Sequence, residues 1–175
     1  MQGARNNEFD MIASLFFDAE MEAHVTYAET FYETDVHLVR RIGDQHSFMS
    51  VPDLQGLEIA VGDGFLYEDE FDRADYLNKV VVTTTLQAIQ MVAFERVDLT
   101  LDSADVVAHS IAVDDPSLSD MVEIAPGALA SQGVHMAVRN GLPNRDKVIA
   151  DFNRTLAEMR ADGSLDTVLA PHIRR

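Results

Sequence analysis

The sequence predicts an α/β fold with mostly parallel strands, and three observations support this prediction. Runs of branched and apolar residues, such as residues 57–61 and 79–83, are typical of strands buried on both faces. Segments with helical spacing and capping residues alternate with these runs, as in α/β proteins. Apolar residues make up 47% of the 175 residues, which suffices for one ordinary domain or two small lobes.

The first half of the chain contains four predicted strands. Residues 43–52 are polar and carry a proline, so we predict that they form a connection. The strands are predicted over residues 10–15, 36–41, 57–61 and 79–83, with a helical turn over residues 18–24 and an acidic helix over residues 67–76.

A glycine corner at Gly62–Gly64 joins the strand over residues 57–61 to the acidic helix. A strand that enters a helix through glycines brings bare backbone N–H groups to a surface, which is a common way to hold a small polar or anionic ligand. The corner matches neither glycine-rich phosphate motif, and Asp63 would repel a phosphate. It is nevertheless the first candidate binding site.

The second half continues the alternation of strands and helices. Thr84 or Thr85 can cap a helix over residues 86–95, and a strand is predicted over residues 97–101. Either Asp102 or Ser103 can then cap a helix over residues 104–112, and further strands are predicted over residues 121–125 and 133–138.

The C-terminal part predicts a long amphipathic helix. Asn144 caps it, it continues to Arg160, and Gly163 ends it. Ser164 is predicted to cap a last short helix. The apolar stripe of the long helix consists of Val148, Phe152, Leu156 and Met159.

Composition excludes several classes of function. The net charge of −17 argues against binding nucleic acid or an anionic membrane, because both repel an acidic surface. The absence of cysteine excludes disulfides, thiolate nucleophiles and cysteine–zinc sites. The six histidines are scattered, and neither a zinc-protease motif nor a serine nucleophile elbow is present. We therefore predict no metal, no cofactor and no membrane insertion, and the sequence shows no signal peptide.

Four segments match, in order, the motifs of one protein family. Residues 8–32 are similar to its "G-x-x-D-x-(apolar)" strand, "T-x-E-R" turn and "F-S-x-P-Y" stretch, and residues 53–64 to "D-L-K-G-K-x-I-G-V-x-x-G". Residues 95–103 are similar to "G-R-V-D-x-x-x-x-D", and residues 152–163 to "x-N-x-A-L-x-x-L-x-x-D-G". Over nearly its whole length the chain thus resembles the extracellular solute-binding proteins of ABC transporters, in the polar amino-acid-binding class (family 3).

The resemblance implies a periplasmic-binding-protein-like fold of type II, with two α/β lobes, two hinge strands and a ligand between the lobes. Residues 1–41 would form a partial first lobe and a hinge strand, and residues 42–130 an essentially complete second lobe. Residues 131–175 would supply the return hinge strand and the C-terminal helices of the first lobe. The family's first lobe normally has further strand–helix units upstream, so we expect a partial first lobe here. Either the chain is truncated, or the first lobe is rudimentary and something else covers its exposed sheet. Bare strand faces and edges of this kind favour a homodimer.

The resemblance also assigns ligand contacts one residue at a time. In the first lobe, Met21 aligns with the arginine that grips the ligand carboxylate, Phe16 with the threonine beside it, and Ser14 with a small residue of the same turn. Methionine cannot replace a bidentate guanidinium–carboxylate pair, so we do not expect ordinary α-amino acids as ligands.

In the second lobe the implied contacts lie on the glycine corner and at the end of a strand. Gly64, Phe65 and Tyr67 align with the corner contacts, and Ser103 with the aspartate that takes the α-amino group, which leaves Asp102 one residue earlier. The aromatic rings at residues 16, 17, 65 and 67 would suit a less polar ligand, and they equally suit core packing.

The resemblance implies a periplasmic substrate-binding component that presents a small polar or amphipathic solute to an ABC transporter permease. One alternative is a degenerate sensor or interaction module without a transport ligand. A further alternative is a dehydratase-type enzyme, whose general acid or base would be Asp102, Glu20 or Asp63. Fold alone does not license catalysis, and we predict that the protein is not an enzyme.

Overall fold

A computed structural model describes residues 8–44 and 48–171 of the chain. The chain divides into two compact units. Unit 1 comprises the described residues of Met1–Glu33 and Gly133–Arg175, and unit 2 comprises those of Thr34–Gln132. Unit 2 is therefore one continuous segment, whereas unit 1 is built from two. The assignment of lobes made from the sequence stays a prediction.

The described residues form seven strands and five α-helices, joined by short 3₁₀ and π-helical turns. The strands are β1 (Met11–Phe16), β2 (Val25–Arg41), β3 (Glu58–Gly62), β4 (Asn78–Val82), β5 (Leu99–Ser103), β6 (Val122–Ile124) and β7 (Ala130–Arg139). The helices are α1 (Asp69–Arg73), α2 (Thr85–Ala93), α3 (Ala104–His109), α4 (Arg145–Asp162) and α5 (Ser164–Leu169). None of these helices combines the length and the apolar character needed to cross a membrane.

The sheet of unit 2 has the order β2-β5-β3-β4, with β6 beside β2. Strand β3 runs parallel to β4 and to β5. Strand β2 pairs antiparallel with both β5 and β6. The α/β class is confirmed, but the expectation of mostly parallel strands is wrong. The connections from β3 to β4 and from β4 to β5 carry α1 and α2, and such crossovers are what parallel neighbours require, whereas β2 pairs antiparallel with β5 and β6.

Both faces of the unit 2 sheet are covered, so its core has two halves. Alternate residues of one strand point to opposite faces. Ile59 of β3 and Leu101 of β5 thus pack with Phe71 of α1 on one face. Ala60 of β3 packs with Ile89 of α2 on the other. This double coverage explains the continuous apolar runs from which the strands were predicted.

In unit 1, β7 lies between β1 and β2. Strand β1 pairs antiparallel with β7, and its register is irregular between Ile12 and Leu15, which indicates a β-bulge. Helix α4 packs its predicted apolar stripe on one face of these strands. Phe152 lies edge-on to Phe31 with 6.3 Å between ring centroids, and Leu156 is buried. The helix ends at Gly163, whose φ of +76° is the left-handed conformation expected of a terminating glycine.

Several predicted boundaries are wrong for identifiable reasons. Strand β2 starts at Val25, because the segment after the first turn also pairs in the sheet. Helix α1 begins only at Asp69, because the Glu68 carboxylate caps it by accepting from the N–H of Phe71 at 2.9 Å. Ser164 is the first residue of α5, and Gly163 precedes it at the capping position. Thr84 is confirmed as the cap of α2, since its hydroxyl accepts from the N–H of Gln87.

Candidate functional site

The carboxyl ends of three parallel strands of unit 2 meet at one edge of the sheet. In open α/β sheets, ligands bind in the crevice outside these ends. Strand β3 ends at Gly62, which is level with Val82 at the end of β4. Ile59 and Ala60 pair with Leu99 and Thr100, so Asp102 of β5 reaches the same edge. The glycine corner and the Asp102–Ser103 pair, which the sequence analysis treated separately, are therefore neighbours.

Asp102 is a partly buried carboxylate held by two hydrogen bonds. Its Oδ2 accepts from the hydroxyl of Thr85 at 2.6 Å, and its Oδ1 accepts from the N–H of Ser103 at 2.7 Å. Burial raises the pKa of this carboxyl above its usual range, while the two hydrogen bonds act in the opposite direction. Within the described part of the chain, no basic side chain forms an ion pair with it. Each oxygen keeps a lone pair with which it can accept from a ligand.

The side chain of Ser103 forms its hydrogen bond in the interior of unit 2 and does not face the crevice. It is buried, and its hydroxyl oxygen lies 2.7 Å from that of Thr34. It also occupies the N-cap position of α3, where its side chain makes no capping bond. Asp102 is therefore not the helix cap, which was its alternative interpretation.

The glycine corner is closed by its own hydrogen bonds. The N–H of Gly62 donates to the phenolic oxygen of Tyr67 at 2.8 Å, and the N–H of Asp63 donates to the carbonyl of Val82 at 2.9 Å. The N–H of Phe65 turns back to the carbonyl of Gly62. The expectation of bare N–H groups is thus wrong for these three donors, because a side chain, the neighbouring strand and the turn itself satisfy them within the protein.

The two aromatic residues of the corner have different roles. Tyr67 is 4% exposed and belongs to the core, and its burial raises the pKa of its phenol. Phe65 is 45% exposed, and its ring covers the backbone of Gly62 so closely that a Cβ there would come within 2.6 Å of it. The ring centroids of the two lie 6.3 Å apart. Phe65 therefore exposes an aromatic surface at the corner, and the buried ring of Tyr67 packs beside it.

The predicted contacts in unit 1 differ in accessibility. Ser14 is exposed on β1, and Phe16 is half-buried at the end of that strand. Met21 is fully buried in the 3₁₀ helix that follows, where it packs with Val25 and Ala137. Its side chain is part of a small core, so the structure gives Met21 a packing role.

The other acid or base candidates lie at the surface. Asp63 is exposed in unit 2, and Glu20 is exposed in unit 1. Among the described residues, no group of three or more histidine, aspartate or glutamate side chains is placed to hold a metal ion.

Solved structures with the same fold are numerous. A mutant of ArgBP from T. maritima superposes with a TM-score of 0.80 and 19% sequence identity, over 98% of this chain and 72% of that chain. The substrate-binding protein of an amino acid ABC transporter superposes with a TM-score of 0.78 and 17% identity, over 99% of this chain and 75% of the other. The chain has the fold of a solute-binding protein.

A histidine kinase sensor domain similar to periplasmic binding proteins also shares this solute-binding-protein fold. Its TM-score is 0.79 at 16% identity, over 98% of this chain and 73% of that one. No protein-family model and no curated protein matches the sequence. The resemblance found in the sequence motifs is thus confirmed for the fold, and the neighbours are binding proteins and sensor domains.

Three partners of the predicted site residues do not follow from the sequence. Thr85 holds the carboxylate of Asp102, Thr34 holds the hydroxyl of Ser103, and the side chain of Gln132 donates to the carbonyl of Tyr67 at 2.8 Å. The sequence predicts Thr85 only as a possible helix cap. Nothing in the sequence pairs Thr34 or Gln132 with residues so distant along the chain, since these contacts depend on the order of the strands.

Proposed function

We propose that this chain is a solute-binding protein that takes a small polar or amphipathic solute at the carboxyl edge of unit 2. The observation that carries the proposal is Asp102, a partly buried carboxylate without a basic partner in the described chain, located where α/β sheets bind ligands. Burying a charge without a counter-ion is costly, and such groups concentrate at functional sites. A ligand ammonium group would supply the missing positive charge.

The charge of this edge supports a positively charged solute. Residues 62–68, 83–87 and 102–105 contain four acidic residues and no lysine, arginine or histidine. An anion would be repelled there, whereas an ammonium group would be attracted. The exposed ring of Phe65 adds an aromatic face, which attracts cations as well as apolar groups.

Ordinary α-amino acids fit this proposal less well than amines. The resemblance places Met21 where the family uses an arginine, and its side chain is buried in a core. A carboxylate on the ligand would lack the bidentate partner that makes such recognition strong. Accordingly, the proposed solute carries an ammonium group and no carboxylate.

The biological setting is proposed from the neighbours. The neighbour from an amino acid ABC transporter supports a periplasmic protein that delivers its solute to a permease. The histidine kinase neighbour supports the alternative of a sensor module. A second copy of the chain is a further proposed partner. The exposure of Phe9 (56%), Met11 (49%) and Phe17 (49%) in unit 1 supports this, because apolar side chains gain stability when covered. We propose no catalytic role.

A thermal-shift series tests the proposed site. Ethanolamine and putrescine should raise the Tm of the wild-type chain, since a ligand at 100 times its Kd stabilises by about 2.7 kcal/mol. Acetate, glutamine and glutamate should leave it unchanged. Asp102→Asn should abolish the shifts, whereas Asp166→Asn, which alters an exposed acid of unit 1, should retain them. Equal shifts with glutamate, or shifts that persist in Asp102→Asn, would overturn the proposal.

A further inference from the structure

Unit 2 contains an open cavity of about 960 Å³. Of the residues that line it, Glu68 alone also belongs to the acidic edge described above. It lies on the face of the sheet that α1 covers, since Leu38 and Val51 belong to the same core cluster as Phe71 of that helix. Cavities that hold small organic ligands have volumes of roughly 300–1,000 Å³. This cavity is thus large enough for a small molecule.

The floor of the cavity is apolar. Leu38, Val51 and Ala125 are almost fully buried members of the core, and Phe48 and Leu129 pack against them. A ligand with an aromatic or alkyl group would cover the exposed parts of Phe48 and Leu129, which favours binding by about 25 cal/mol per Å² of apolar surface removed from water.

The charged residues around the cavity are predominantly acidic. Among the described residues, four carboxylates and one guanidinium, that of Arg40, line it. The guanidinium is engaged by Glu123, with 2.9 Å between Nε and Oε1. Glu70 is exposed on α1 and takes part in no ion pair within the described residues. The four carboxylates belong to Asp44, Glu68, Glu70 and Glu123. An anionic ligand would therefore be repelled, and a cation would be attracted.

We propose that this cavity is a second binding site, and that it takes an amphipathic organic cation. The apolar part of the ligand lies on Phe48 and Leu129, and its ammonium group faces Glu70. A purely polar cation would leave the floor hydrated, and a neutral apolar molecule would forgo the attraction of the carboxylates. The site is independent of the amine site at Asp102, and neither requires the other.

An NMR titration with benzyltrimethylammonium tests this proposal. The probe should shift the amide signals of residues 68–70, 125 and 127–129. Tetramethylammonium should bind several-fold more weakly because it lacks the ring, and benzoate should not bind because its charge is reversed. Equal binding of tetramethylammonium, or any comparable binding of benzoate, would overturn the proposal.

Two variants locate the bound probe, each with a matched control. Glu70→Gln should weaken binding several-fold, whereas Glu158→Gln, which changes an exposed glutamate of unit 1, should not.

Ala128→Phe places a ring in the cavity from an exposed position and should block the probe, whereas Ala150→Phe on α4 should not. If Asp102→Asn removed binding while Glu70→Gln and Ala128→Phe left it intact, the probe would occupy the amine site and the proposal would be wrong.

Discussion

Gln132 donates a hydrogen bond from its side-chain Nε2 to the main-chain carbonyl of Tyr67, over 2.8 Å. Gln132 is the last residue of unit 2 on β7, and Thr34, which bonds to Ser103 at 2.7 Å, is the first residue of unit 2 on β2. Strands β2 and β7 both cross the boundary of unit 2. At this boundary each strand is therefore hydrogen-bonded to a predicted ligand residue, β2 to Ser103 and β7 to Tyr67.

Gln132→Met should lower the free energy of unfolding by about 1 kcal/mol, because the Tyr67 carbonyl loses its donor and stays partly buried. Chemical denaturation measures this change. Gln55→Met, which alters an exposed glutamine of the same unit, is the control and should change stability by less than about 0.5 kcal/mol. Equal effects of the two substitutions would show that the bond to Tyr67 contributes nothing to stability.

Asp102 should make stability fall as the pH rises through a mildly acidic range. Burial raises its pKa in the folded state above the unfolded value of about 3.9. Between these two values the folded state binds more protons than the unfolded state, so the free energy of unfolding decreases with rising pH. Asp102→Asn should remove this decline and be at least as stable as the wild type at neutral pH.

Urea unfolding of both proteins at several pH values between about 4 and 8 checks this expectation, with exposed Asp63→Asn as the control. A wild-type stability that increased with pH to the same extent as in Asp102→Asn would contradict the raised pKa. Binding of an amine should follow the opposite course and strengthen as Asp102 ionises.

Two glycines of the corner should respond differently to alanine. At Gly62 the added Cβ would meet the ring of Phe65 at 2.6 Å, so Gly62→Ala should displace this ring and weaken solute binding. At Gly64 the Cβ would meet nothing within 4 Å, but φ is +68°, so Gly64→Ala should cost about 1–2 kcal/mol of stability through backbone strain. Calorimetric titration measures solute binding, and chemical denaturation measures stability. If Gly64→Ala weakened binding more than Gly62→Ala did, or Gly62→Ala cost more stability than Gly64→Ala, the result would contradict this account of the corner.

The two lysines of the chain should contribute unequally to stability. The ammonium group of Lys79 donates to the carbonyls of Phe71 and Asp72 and lies 4.7 Å from the centroid of the Phe71 ring, which ties β4 to the end of α1. Lys79→Met should cost about 1–3 kcal/mol, since hydrogen bonds from charged groups are the stronger ones. Lys147 forms an exposed pair with Asp151, and Lys147→Met should cost less than about 1 kcal/mol. The denaturation midpoints of the two variants measure these losses, and equal midpoints would contradict the prediction.

Met21 should act as a core residue. Met21→Ala should cost about 2–5 kcal/mol, as large-to-small substitutions in cores do. Met49 is 92% exposed, so Met49→Ala should be nearly neutral. If Met21→Ala changed the Tm as little as Met49→Ala does, the side chain of Met21 would not contribute to core packing.

Local chemistry explains which parts of the fold could be predicted from the sequence. Thr84 and Gly163 act within one turn of their own helix, so their roles follow from neighbouring residues. The antiparallel course of β2 depends on partners more than sixty residues away, and no local pattern encodes it. The same holds for the site. Asp102 could be singled out, but its contact with Thr85 required two strand ends to meet at one edge.

Unit 2 is a single uninterrupted stretch of chain inserted between the two segments of unit 1. This nesting imposes an order on folding. The segments of unit 1 are joined only through unit 2, so the entropy of closing that long loop opposes their pairing while unit 2 is unfolded. Once unit 2 has folded, its ends at Thr34 and Gln132 are fixed by their own hydrogen bonds. The two segments of unit 1 can then pair with little further loss of chain entropy. Unit 2 is therefore the segment that can be expected to fold alone, and unit 1 the one that depends on it.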